Sequence, residues 1–139
     1  MSHCHRSRCC VVPVCLHRRV ANGVELSERA CRIWGKAGDL SAGWLPLWRH
    51  LGDSGAVAGR LWDLWLAAAV RQRIGRELPG GEDDGRRLVR WLAGIHDIGK
   101  ATPAFAGQVP QLIDGMRDLG FTFDARLAAD RRLLPHSVA

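Results

Sequence analysis

The stretch Trp91 to Gln108, WLAGIHDIGKATPAFAGQ, decides how the chain is read. Leu88, Trp91, Leu92, Ile95 and Ile98 recur at three- and four-residue steps, the period of a helix that buries one face. Asp83 or Asp84 is its expected N-cap, and Gly99 its expected end. His96 and Asp97 stand in succession near that end, with Lys100 just past Gly99. Thr102 followed by Pro103 is then an N-cap and first-turn pair, which starts a short helix through Ala104, Phe105 and Ala106.

Consecutive helical positions lie about 100° apart around the axis. An imidazole at His96 and a carboxylate at Asp97 therefore reach one cation together only if other segments supply further ligands, and His50 and His136 are the candidates. Nitrogen and carboxylate donors in that mixture suit Mn, Fe, Co, Ni or Zn better than the oxygen sites that hold Ca or Mg. Asp97 has two oxygens, enough to bridge a pair of ions that would orient a water and stabilise charge on a phosphate under attack. The Lys100 ammonium is placed to neutralise a phosphate oxygen. The bland alternative is a helix-terminal histidine that does no more than favour the macrodipole.

Outward from this stretch the pattern stays helical. Leu47, Leu51, Ala58, Leu61, Trp62 and Trp65 form an apolar face between Trp44 and Leu66, with Asp53 and Ser54 as candidate caps that would put His50 just before a helix N-terminus. Residues 75–85, GRELPGGEDDG, read as a surface loop. Leu112, Ile113, Met116 and Leu119 mark a helix over residues 110–119, and Pro135 and His136 look like the entry to another. Trp62, Trp65 and Trp91 are expected in the core rather than as stacking platforms for bases. Arg86, Arg87, Arg90, Arg131 and Arg132 are explained at least as well by solvated helix faces as by a phosphate backbone.

Composition agrees with an all-α class. Leu and Ala supply 17 residues each, against 10 Val, 5 Ile and 2 Thr, which favours helix over strand. The 139 residues suit one domain. The longest unbroken apolar run, Trp65 to Val70, is far short of the roughly 20 residues that span a bilayer. Residues 1–33 carry +4 of the net +6, so the remainder is nearly neutral and the basic isoelectric point does not by itself indicate a nucleic-acid surface.

All five Cys precede residue 32, which excludes a disulfide framework for the whole domain. The apolar stretch Val11 to Leu16 is too short for a secretory signal, so a cytoplasmic location is expected. His3, Cys4, His5, Cys9, Cys10, Cys15 and His17 offer metal donors, but their spacing fits no zinc knuckle, and residues 1–32 are read as a disordered leader.

Trp91 to Gln108 resembles the HD superfamily, and specifically the HD nuclease domain at the N-terminus of the CRISPR type I nuclease-helicase. Trp34-Gly35-Lys36, Leu47 to Leu51, Ala56-Val57-Ala58 and Pro135-His136 match that family's further motifs in order. The resemblance implies an all-α HD helical bundle around a metal centre over residues 33–139. It implies His50 as the first metal ligand, His96 and Asp97 as the central pair with Asp97 bridging, His136 as the next histidine, and Lys100 as the lysine that follows the pair. One or two divalent transition-metal ions are the implied cofactor. Single-stranded DNA is the implied substrate, cut in antiviral defence beside a helicase domain or subunit and a CRISPR surveillance complex, with no membrane involved. The family continues with a vicinal His pair and a distal Asp that this chain lacks, so the expectation is a C-terminally truncated fragment with little activity of its own. An HD phosphohydrolase acting on nucleotides, and a non-catalytic remnant that binds DNA or the complex, are the alternatives.

Overall fold

The computed structural model describes residues 20, 21, 23–38, 40, 41, 43–124 and 126. His136, the Pro135 helix entry and all the cysteines except Cys31 lie outside them. The described elements are the short strands β1 (Val20–Ala21) and β2 (Val24–Glu25), helix α1 (Glu28–Arg32), strands β3 (Trp34–Lys36) and β4 (Leu45–Pro46), then helices α2 (Leu47–Leu64), α3 (Ala68–Arg76), α4 (Gly81–Ile95), α5 (Pro103–Ala106) and α6 (Pro110–Arg117), with a 3-10 turn at Ile98–Ala101 between α4 and α5. The fold is all-α, as expected. Among the described residues the strands form two small antiparallel pairs, β1 with β2 and β3 with β4. None of its helices among the described residues is long and apolar enough to cross a membrane.

The described residues pack in two regions. The first is a core of Trp34, Ala37, Phe105, Ala106, Val109 and Met116, closed at its edge by Trp44, Leu112 and Phe121. The Trp34 ring lies 4.5 Å from that of Phe105, and its Nε1 donates to the Ala106 carbonyl at 2.9 Å. This ties β3 to α5. The Thr102 hydroxyl accepts from the Phe105 amide and caps α5, as the sequence predicts. Thr102→Ala is expected to cost about 1 kcal/mol in a denaturant melt, the ordinary value for a lost N-cap.

The second region is the α2–α3–α4 layer, where the sequence reading needs correction. The stripe expected to be buried on α4 is uncovered by the described residues: Leu88, Trp91, Leu92 and Ile98 are exposed. On α2, Trp62 is buried, but Leu61 and Trp65 are exposed. The physical reason is glycine. A Cβ on Gly55 of α2 would stand 3.0 Å from the Arg90 carbonyl and 3.8 Å from the Gly94 Cα on α4, so the two backbones approach through small residues and leave the large ones to the side. Trp62 likewise packs its ring edge against Gly85.

Several helix boundaries also differ. Helix α2 begins at Leu47, ahead of His50, because the carbonyl of Ile33 accepts from the Leu47 amide at 2.7 Å and does the work of a missing cap. Ser54 is no cap; its hydroxyl donates to the His50 carbonyl one turn back. The expected loop over 75–85 contracts to residues 77–80, since α3 runs to Arg76 and α4 starts at Gly81. Asp83 and Asp84 sit in the first turn of α4, where their charge favours the helix N-terminus, and Asp84 accepts from the Gly80 amide at 2.8 Å. Helix α4 ends at Ile95 rather than Gly99, and the chain turns at Asp97 into the 3-10 segment.

Candidate metal centre

The break after Ile95 positions the pair. His96 keeps helical backbone angles, whereas Asp97 sits at φ −109° and ψ 16°, so its side chain leaves the helix toward the N-terminal turn of α2. His50 waits there, one turn into α2. The Asp97 Oδ2 lies 3.0 Å from His50 Nε2, 3.3 Å from His96 Nε2 and 2.7 Å from Lys100 Nζ. The two imidazole rings stand edge-on, with centroids 5.2 Å apart. One donor atom from each of His50, His96 and Asp97 falls within a span of 4.8 Å, close enough for one ion to touch all three.

The site is half enclosed. His50, Asp97 and Lys100 have side chains that are 12–13% exposed, while His96 at 45% opens it to solvent. Burial pushes the Asp97 carboxyl up, but hydrogen bonds from Lys100 and His50 and the charges of Lys100 and His96 outweigh it, so the group lies below the ordinary carboxylate range. The linked stability has a definite sign. A depressed carboxyl contributes stability above its unfolded pKa of about 4, and that contribution is lost as pH falls through the lower folded value. The melting-temperature gap between the wild type and Asp97→Asn should therefore narrow as pH falls below about 4. A gap that widens over that acid range would contradict the ion-pair geometry.

The donor set suits a borderline first-row ion. His96 Nδ1 lies 2.7 Å from the Ala93 carbonyl, which can only accept, so this nitrogen carries a proton and Nε2 is the ring atom left to face Asp97. An imidazole lone pair facing a carboxylate oxygen at 3.3 Å repels it unless a positive charge lies between them, either a proton or a metal ion. Two nitrogens and one carboxylate, with an open side, are also the pattern of three protein ligands and a free position found in catalytic metal sites.

His50, His96, Asp97 and Lys100, singled out from the sequence, are thus brought together, whereas His136 lies outside the described residues. Lys100 is placed differently from the sequence expectation. Its ammonium points inward to Asp97 and to the Gly35 carbonyl at 3.1 Å, over the Phe105 ring, rather than outward to meet a phosphate. The contribution of Gly35 was not legible in the sequence.

Residues 34–139 match the family model described as Cas3, HD domain. The CRISPR-associated nuclease/helicase Cas3 of Streptococcus thermophilus is 36% identical over 109 residues, an alignment covering 69% of this chain and 12% of that protein. The chain thus corresponds to a small part of its relative's length. No solved structure matches.

Proposed function

Because the chain belongs to the Cas3 HD-domain family, we propose that residues 33–139 form a divalent-metal-dependent nuclease domain of type I CRISPR defence, cleaving single-stranded DNA delivered by a helicase. The observation that carries this reading is the convergence of His50, His96 and Asp97 within 4.8 Å, inside the matched segment. Asp97 supplies the negative charge. His96, held by Ala93, keeps its Nε2 turned inward, and His50 is fixed by the first turn of α2. Together they would hold a divalent ion, whose positive charge would acidify a water and offset charge on the attacked phosphodiester. The half-exposed side at His96 is where water and strand enter.

Mn, Fe, Co, Ni and Zn all fit the donors. His136, carried over from the family pattern, is proposed as a further ligand. Among the described residues, His50, His96 and Asp97 would hold one ion.

The test incubates the full chain with circular single-stranded DNA, duplex DNA, and a panel of nucleoside triphosphates and cyclic nucleotides, with Mn, Co or Ni and with chelator. Metal-dependent cutting of the single strand alone is expected. Turnover of the nucleotides but not of DNA would replace this reading with a nucleotide phosphohydrolase. DNA binding without products under every metal would indicate a non-catalytic binder.

A further inference from the structure

A closed ring of contacts runs behind the candidate ligands. The Lys100 ammonium donates to the Gly35 carbonyl on β3 at 3.1 Å and to Asp97 Oδ2 at 2.7 Å. The same oxygen meets His50 Nε2 at 3.0 Å. His50 closes the ring, because a Cβ built on Gly35 would stand 3.1 Å from the His50 Cβ and 3.0 Å from the Leu47 Cα. The ring joins β3, α2 and the 3-10 turn, three segments otherwise far apart in sequence.

We propose that Lys100 and Gly35 are positioning residues for the metal centre. Lys100 fixes the Asp97 carboxylate and carries its load back to the β3 backbone, and Gly35 provides both the carbonyl that anchors Lys100 and the bare Cα against which the first turn of α2 seats His50. The inference rests on the metal-centre reading above and assigns Lys100 a role different from phosphate contact.

Each contact limits a different freedom. The Lys100 bond occupies one lone pair of Oδ2 and so sets which way the carboxylate faces the imidazoles. At Gly35 any side chain presses on Leu47 and His50 at distances few real Cβ atoms show, and the rigid element that must yield is the start of α2. A flexible lysine held between a carbonyl and a carboxylate, only 13% exposed and lying over the Phe105 ring at 5.4 Å, is poorly placed to follow a DNA phosphate. It is well placed to hold a ligand still. Outer partners of metal ligands typically change metal affinity about 10- to 100-fold when removed.

The experiment uses the full chain with Lys100→Met, Lys100→Arg, Gly35→Ala and the Gly35→Ala/Lys100→Met pair. The first readout needs no metal: long-range nitrogen correlation NMR of the His50 and His96 rings. The second is Mn affinity by calorimetry. Lys100→Met should shift the ring signals of both histidines and weaken Mn binding about 10- to 100-fold, while Lys100→Arg, whose guanidinium can span both acceptors, regains most of it. The double variant should be no weaker than the worse single one, because both act on one ring. Unchanged histidine signals and Mn affinity in Lys100→Met, with weakened DNA binding instead, would overturn the proposal in favour of phosphate contact. A double variant whose losses multiply would overturn the ring. Failure of the wild type to bind Mn would defeat the metal reading, while the NMR comparison would still decide the positioning claim. If Gly35→Ala does not fold, the Lys100 pair decides it.

Discussion

Replacing Asp97 by Ala is expected to abolish metal uptake and DNA cleavage together, the largest effect any single change should have on this chain. Asp97 is the acid among the three clustered donors, and its Oδ2 is the atom on which His50, His96 and Lys100 all converge. Without it, three nitrogen groups face one another with no anion between them. Mn affinity should fall by more than the roughly 100-fold upper range for losing an outer partner. The metal-free protein should also lose about 1–3 kcal/mol, because the Lys100 ammonium keeps the Gly35 carbonyl but loses its counter-ion. Asp97→Asn separates the two effects. It keeps the shape and much of the stability, yet the neutral amide should still abolish cleavage. Calorimetry, denaturant melts and a single-strand cleavage assay read the three quantities. Cleavage by Asp97→Ala at the wild-type rate would remove Asp97 from the chemistry.

The second large effect is on folding. Trp34→Ala should destabilise the chain by about 3–5 kcal/mol, the range for truncating a buried aromatic side chain. Trp34 is 2% exposed, packs on Phe105 and satisfies the Ala106 carbonyl. Trp34→Phe should cost less, about 1–3 kcal/mol, because the ring is kept and the carbonyl is left unsatisfied. Since Gly35 follows directly and anchors Lys100, the Ala variant should also loosen the metal centre, seen as weaker Mn binding at temperatures where the protein is still folded. A loss below about 1 kcal/mol in urea would show that β3 does not hold the two regions together.

Much of the site was legible because its residues carry chemistry that few other residues can. A His-Asp pair at a helix end and a separate histidine at the start of another helix predicted the cluster, and the fold brings all three together. The resemblance to HD nucleases added order and spacing. Helix α6 and the Thr102 cap were legible for local reasons, a periodic stripe and a hydroxyl before proline. What failed depended on contacts distant in sequence. No local signal reveals that the Ile33 carbonyl starts α2. The apolar stripe of α4 pointed to one buried face, but Gly55 and Gly94 chose another by letting the backbones approach. The inward turn of Lys100 depends on a carbonyl 65 residues earlier.

The most direct test of the central claim is a Co titration of the full chain followed by visible absorption, with His50→Ala, His96→Ala and Asp97→Ala as separate variants. Mixed imidazole and carboxylate ligation predicts d–d bands that saturate at one ion per chain and are lost or reshaped in each variant. Saturation with the same spectrum in all three variants would place the metal elsewhere and contradict the account.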